Sequence, residues 1–237
     1  MPNIFEKPNY KNYSMRYAKD FGARKILWQQ LVCQILMRTL LILFYNVKIV
    51  NRENIPKGRF IVAPNHTCYF DPFVSVLIIK KCTAFMAKKE LFEKNWLGSF
   101  LLDELAAFAV NREHLEISTI KTVKEIFKTD NWSMGIFPEG GIRRNKQLSK
   151  ITKGFAVIAQ MVKCDILPIG IAGLESYNWN PFKKKDVTIS IGTIISHQLS
   201  IDEIIDNWKN QVGAMNNYEV IPSEPEAEKE QKEEAPV

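Results

Sequence analysis

The sequence is poor in residues that bind metals or staple small folds. Its 237 residues include three histidines (His66, His114, His197) and four cysteines (Cys33, Cys68, Cys82, Cys164), all well separated. There is no Cys-x-x-Cys and no His-Glu-x-x-His, which argues against a zinc site or metal-assisted hydrolysis. Thiols so scattered form no disulfide framework and read as reduced side chains of a cytosolic protein. With 11 Gly and 11 Pro the chain is neither collagenous nor of low complexity, and no internal repeat is visible. Met1 to Asp20 lacks the apolar segment of a signal peptide, being polar, aromatic and basic instead.

A composition of 46% hydrophobic and 24% charged residues suits one globular domain with a real core and excludes a disordered chain. The net charge of +6 hides a split, because Ser223 to Val237 carries six Glu against two Lys. The preceding body is therefore +10 and calls for an anionic partner: nucleic acid, a phosphorylated metabolite or an acidic membrane surface.

The most apolar stretch is Ile26 to Tyr45, in which only Gln29, Gln30, Gln34, Arg38 and Thr39 are polar. It is long enough to span a bilayer. Gln30, Gln34 and Arg38 recur at helical spacing, however, while Trp28, Leu31, Ile35, Leu36, Ile42 and Leu43 lie away from that stripe. A mid-helix arginine disfavours spanning. The expectation is an amphipathic helix in the membrane interface, flanked by Tyr10, Tyr13, Tyr17, Arg16, Lys19, Arg24 and Lys25. The competing reading is a helix whose apolar side packs on the core.

From Asn46 onward, strand-like runs (47–50, 60–63, 84–87, 107–110, 134–137, 166–171, 187–191) alternate with helical ones (72–79, 96–102, 116–128, 152–163). Ser200 caps a further helix over 201–208, with Glu203 in the capping-box position. The pattern predicts an α/β domain, a largely parallel sheet of about seven strands with helices on its faces. Three segments are expected: a helical lead-in (1–45), the α/β domain (46–221) and an acidic disordered tail (222–237).

In such sheets ligands collect beyond the carboxyl ends of the strands. The first such end reads Asn65-His66-Thr67-Cys68-Tyr69-Phe70-Asp71-Pro72. Pro72 suits a first helical turn and makes Asp71 a natural N-cap. A carboxylate five residues after a histidine also reaches back to the imidazole, fixes its tautomer and frees the other nitrogen as a general base. The next ends supply Lys88-Lys89 and Arg112. The run Pro138-Glu139-Gly140-Gly141-Ile142-Arg143-Arg144 combines glycines for close backbone approach with two guanidiniums suited to phosphate. Pro168, inside an apolar strand, predicts a bulge or a sheet edge.

Taken in order, these segments resemble the motif set of the glycerolipid acyltransferases, most closely the 1-acyl-sn-glycerol-3-phosphate acyltransferases. Asn65-His66…Asp71 matches the Asn-His-x4-Asp motif. Ala87-Lys88-Lys89-Glu90-Leu91 and Arg112 match the second region, Phe137-Pro138-Glu139-Gly140 the third, and Ile166-Leu167-Pro168-Ile169-Gly170 the fourth. The match runs from about Val47 to Gly173 and departs from the family after Gly140, where Gly141-Ile142 precedes the arginines.

The resemblance implies direct acyl transfer from acyl-CoA or acyl carrier protein to the hydroxyl of lysophosphatidic acid. Glycerol-3-phosphate or another lysophospholipid is the alternative acceptor. His66 would be the general base and Asp71 its orienting carboxylate. Lys88, Arg112 and either Arg143 or Arg144 would hold the phosphate, Glu139 would orient the substrate or stabilise the basic cluster, and Gly140 would line the substrate site. No metal, cofactor or nucleic acid is implied. The expected location is the cytoplasmic face of a membrane, peripherally bound, with Trp179 to Lys185 as a second contact. The weaker alternatives are a hydrolase using Cys68, a nucleic-acid-binding module and a non-catalytic lipid-binding relative.

Overall fold

The computed structural model describes residues 8–112, 114, 116–148 and 150–221; the expected acidic tail lies outside them. The strands are β1 (Tyr45–Val50), β2 (Ile61–Pro64), β3 (Cys82–Lys88), β4 (Phe108–Val110), β5 (Trp132–Gly135), β6 (Gln147–Leu148), β7 (Ile166–Ala172), β8 (Lys185–Ile191) and β9 (Glu219–Val220). Seven of them form one sheet in the order β1-β8-β7-β2-β5-β3-β4, while β6 and β9 pair separately. Every neighbour pair in the large sheet is parallel except β7 with β8. The expected α/β architecture is therefore the observed one.

Alternation along the strands divides the core. Ile61 and Ala63 of β2 face a cluster with Val123, Ile126, Phe155, Ile158 and Trp208. The residues between and before them, Val62 and Phe60, face a second cluster with Met37, Leu41, Val74 and Ile78. A period of two thus sends successive side chains to helices on opposite faces of the sheet. Its helices are Asp71–Ile79, Trp96–Glu104, Ile117–Ile126, Gly154–Val162 and Ile201–Asn216. The last has the expected Ser200/Glu203 capping box, though it runs two turns beyond the expected end.

Pro168 lies in β7, in the sheet interior, at a bulge. Ile169 pairs with Ile191 and Ile166 with Ile195, so the returning chain carries one extra residue opposite Leu167-Pro168. That irregular stretch accommodates a residue with no ladder N–H, while Gly192 N donates to the Pro168 carbonyl at 2.9 Å.

The helix Ala23–Phe44 is long and apolar enough to cross a membrane. Its buried positions are Lys25, Gln29, Cys33, Met37 and Leu41, four residues apart throughout. An ideal α-helix would rotate such a series steadily off its face. Here Leu31–Met37 forms wide π-type turns, with Arg38 N bonded to Cys33 O, and these hold the series in line. The helix is fastened by polar groups: Lys25 to Asp103 at 2.7 Å, Arg24 to Glu104 at 2.9 Å, and Gln29 to both Thr83 and Leu105 carbonyls. Trp28, Leu31, Ile35, Leu36, Ile42 and Leu43 are all exposed, so this apolar side does not pack on the core.

Candidate active site

β2, β5, β3 and β4 are consecutive in the sheet and mutually parallel, so their carboxyl ends share one rim. The chain leaves those ends at Asn65, Ile136, Lys89 and Asn111 respectively, which brings the sequence motifs to a single place.

Asn65 holds the first motif. Its side chain is fully buried and splices onto β7, with Nδ2 donating to Ile171 O (2.9 Å) and Oδ1 accepting from Ile171 N (2.7 Å). The amide thus continues the sheet ladder where the backbone turns away, and it fixes the point from which His66 departs.

His66 Nδ1 lies 2.9 Å from Asp71 Oδ2. The same oxygen accepts from the backbone nitrogens of Thr67 (2.6 Å) and Cys68 (2.8 Å). Asp71 Oδ1 accepts from Thr67 Oγ1 (3.2 Å) and Cys68 Sγ (3.3 Å). An acceptor-only carboxylate bonded to Nδ1 makes that nitrogen the N–H donor, so Nε2 carries the lone pair. Asp71 is the first residue of its helix, with Phe70 at the N-cap, and its carboxylate serves the preceding loop.

Glu139 is buried, and its Oε1 accepts from His66 N at 2.8 Å, while Arg143 N donates to His66 O at 2.6 Å. Burial pushes the Glu139 carboxyl up to about 7, aided by the nearby Asp71 charge and opposed by the His66 N–H and Arg143. Gly140 sits at φ +66, a left-handed backbone that favours glycine, and its carbonyl accepts from Arg112 Nη1. The two arginines diverge. Arg143 lines a cavity with Arg112, Glu139 and Lys150, whereas Arg144 turns to Thr67 O (3.4 Å) and the Tyr177 ring (6.0 Å).

Two cavities meet at Phe137, the residue stacked on the histidine. One, of about 380 Å³, is bordered by Arg112, Arg143, Lys150, Glu139 and Thr152. The other, of about 320 Å³, is mostly apolar; His66 and Lys88 stand on its border with Cys33, Val76, Phe85 and Leu105. Arg112, Met86 and Phe137 belong to both. The Phe137 ring, which borders both cavities, stacks on the imidazole at 3.9 Å and on Phe85 at 5.3 Å, holding His66 against the apolar one. Lys88 remains on the rim, half-exposed, with Glu90 at 3.7 Å.

Several features had escaped the sequence reading. Phe137 and Asn65 stood in the motifs without assigned roles. Lys150 reaches the site only because the 141–153 loop folds back, and neighbouring sequence gives no signal of that. Cys68 is fully buried, donates to Asp71, and its thiol is pushed up to about 12, chiefly by desolvation. Such a group is not an activated nucleophile. Another imidazole–carboxylate pair, His197 Nδ1 to Asp165 Oδ1 at 2.6 Å, lies just before β7, at the opposite end of the sheet.

An oriented imidazole on the border of an apolar cavity, with a cation-lined cavity beside it, suits amphiphilic, anionic substrates. Comparison with known proteins narrows the class. The family described as Acyltransferase matches residues 46–172, more than half of the chain, and the chain belongs to that family. A Bacillus subtilis protein named 1-acyl-sn-glycerol-3-phosphate acyltransferase is 35% identical over 162 residues, spanning 68% of this chain and 79% of that protein. A Saccharomyces cerevisiae protein of the same name is 29% identical over 139 residues, spanning 57% of this chain and 46% of that one. The crystal structure of the 1-acyl-sn-glycerophosphate (LPA) acyltransferase PlsC from Thermotoga maritima has the same fold, with a TM-score of 0.62 at 19% identity, covering 83% of this chain and 84% of that one.

Proposed function

We propose that the protein acylates lysophosphatidic acid to phosphatidic acid, with acyl-CoA or acylated carrier protein as donor and His66 as general base. The reading is carried by the imidazole on the border of the apolar cavity, beside the cation-lined one, its Nδ1 tied to Asp71 and its Nε2 without a hydrogen bond among the described residues. The names of the related proteins point to the same reaction.

The acyl chain occupies the apolar cavity. The acceptor phosphate lies among Arg112, Arg143 and Lys150, and Lys88 at the rim meets the donor or the acceptor headgroup. Nε2 takes the hydroxyl proton as the oxygen attacks the thioester carbonyl. The C–S bond then breaks, and the imidazolium returns the proton to the leaving thiolate. Asp71 stabilises the transient charge on the ring. Holding phosphate and thioester in adjacent cavities beside one imidazole makes the encounter effectively unimolecular. The N–H groups of His66, Thr67, Cys68 and Gly140 already serve Glu139, Asp71 and the Phe137 carbonyl, so of the glycine turn the Gly141 N–H is the candidate oxyanion donor.

Residues 1–45 serve as a membrane-seating segment for a catalytic domain over 46–221, on the cytoplasmic face. The exposed Leu31, Ile35 and Leu36 side of the first helix supports this, as do exposed Trp96, Leu97, Phe100 and Leu101 on the helix packed beside its first turns. Trp179 and the fully exposed Phe182, next to Lys183 and Lys184, form the second contact.

The experiment is acyl transfer to lysophosphatidic acid by wild type and His66→Ala, matched in melting temperature, with both donors in parallel. A loss of about 10²–10⁴-fold in kcat is expected. Equal activity of the two proteins would sink the general-base mechanism, and no transfer by wild type with either donor would redirect the acceptor assignment.

A further inference from the structure

A third cavity, of about 290 Å³, opens at the other end of the Asp71–Ile79 helix from His66 and shares no lining residue with the two catalytic cavities. It lies between the first helix, β1 and the C-terminal turn of the Asp71–Ile79 helix. Arg38, Arg52 and Lys80 line it, each from a different element, and no carboxylate does. Among the described residues, none of these three cations has an ion pair or a side-chain hydrogen bond. Gln34 also lines the cavity, and its Nε2 is sealed from solvent with no acceptor.

The three lining cations face no carboxylate in the cavity, and a buried amide donor without an acceptor is unfavourable. An anion in the cavity relieves both. The walls identify its source. Buried Leu41 and Ile78 make them apolar, which suits an amphiphile better than a hydrated free ion. Ile42 lines the cavity and also belongs to the exposed apolar side of the first helix with Ile35 and Leu43. A headgroup held inside can therefore run its acyl chains out along that surface. The volume is near the lower end for small-ligand sites and admits a headgroup rather than a whole lipid.

We propose that this cavity is a second lipid site, distinct from the catalytic centre, which takes the phosphate of an anionic glycerophospholipid of the membrane. Bound lipid there fixes the domain on an anionic surface through the cleft between its first helix and the sheet.

The test uses the full chain and dihexanoyl phosphatidylglycerol held below its micelle concentration, so that binding requires no membrane. Calorimetry is expected to show saturable binding that persists in Arg112→Gln/Arg143→Gln and weakens about tenfold or more in Arg38→Gln/Arg52→Gln/Lys80→Gln. Dihexanoyl phosphatidylcholine and inorganic phosphate, tested separately, are expected to bind much more weakly than the anionic lipid. Wild-type affinity in the triple variant overturns the proposal, as does loss of binding in the Arg112/Arg143 variant alone. Phosphate binding as tightly as the lipid replaces the lipid with a free anion. The three cations are exposed, so the triple variant should keep its melting transition. If it does not, Gln34→Leu decides, and full affinity there overturns the proposal. Acyl transfer is measured in no arm, so the outcome is independent of the catalytic reading.

Discussion

Glu139 Oε1 stands 2.8 Å from the backbone nitrogen of His66, and Arg143 N stands 2.6 Å from the His66 carbonyl. One loop, the turn after β5, therefore clamps both sides of the peptide that carries the proposed base. The clamp includes a buried carboxyl whose ionisation is displaced into the neutral range.

That displacement predicts a pH dependence. The Glu139 carboxyl rises from an ordinary 4.5 to about 7, mainly through burial. Between those values the folded chain retains a proton that the unfolded chain has released. The resulting stability is complete below the lower value and is lost as pH rises through the higher, a change of about 3 kcal/mol. Glu139→Gln keeps an oxygen for the His66 N–H and removes the titration. Its melting temperature is expected to gain on wild type progressively from about pH 5 to about pH 8. Parallel curves would contradict the displaced carboxyl.

Asp71→Asn probes the other half of the loop. The native carboxylate takes five donors, three on Oδ2 and two on Oδ1. An amide turned with its oxygen in the Oδ2 place keeps the three N–H donors and presents its NH2 to the Thr67 hydroxyl, which can turn to accept, and to the Cys68 thiol, a poor acceptor. A poorly paired buried donor costs about 1–3 kcal/mol, so a fall in melting temperature is expected. The rate is expected to drop by about 10²–10⁴-fold, because a neutral amide no longer stabilises the imidazolium formed when Nε2 takes the proton. If His66 and Asp71 act as one unit, the double variant His66→Ala/Asp71→Asn is no slower than His66→Ala alone. Multiplying losses would separate their roles.

Much of the site was legible because the chemistry sits at strand ends. A β/α alternation predicts parallel strands, and parallel strands bring His66, Lys88, Arg112 and Glu139 to one rim without any knowledge of strand order. The partner of Glu139 was not legible, since it is a backbone N–H that any residue could present. Nor was the divergence of Arg143 from Arg144, which depends on how the 141–153 loop folds back. The first helix shows the limit of periodicity. Its polar and apolar stripes were readable from residue 26 onward, but the direction each faces depends on the Asp103, Glu104 and Thr83 groups that capture Lys25, Arg24 and Gln29. The two-residue pairing of β6 with β9 joins segments some seventy residues apart, so no local pattern announces it.

The cysteines give a test of the excluded hydrolase chemistry. All four are buried free thiols, and those of Cys33 and Cys68 are pushed up to about 12 by desolvation. Iodoacetamide near neutral pH is expected to modify none in the folded protein and all four after denaturation, as read by intact mass. Cys68→Ala is expected to transfer acyl groups at the wild-type rate. An acyl group trapped on Cys68 would overturn that expectation and the direct-transfer mechanism with it.

Gly135→Ala reaches the histidine through two rings. A Cβ at this β5 position would lie 2.4 Å from the ring of buried Phe85. Phe85 stacks on Phe137, which stacks on His66, so relief of the clash moves a column that ends at the proposed base. Overpacking of this kind costs about 1–3 kcal/mol, and a lowered melting temperature is expected. The kinetic signature is a fall in kcat with little change in KM, because the substrate-holding groups Arg112, Arg143 and Lys150 stand outside the column. Gly141→Ala is the stability control, as an added Cβ there meets nothing within 4 Å. Phe85→Leu in the Gly135→Ala background removes the obstructing ring and is expected to recover melting temperature but only part of kcat, since Phe137 still lacks its backing ring. Full recovery of both would show that Phe85 fills space without positioning His66.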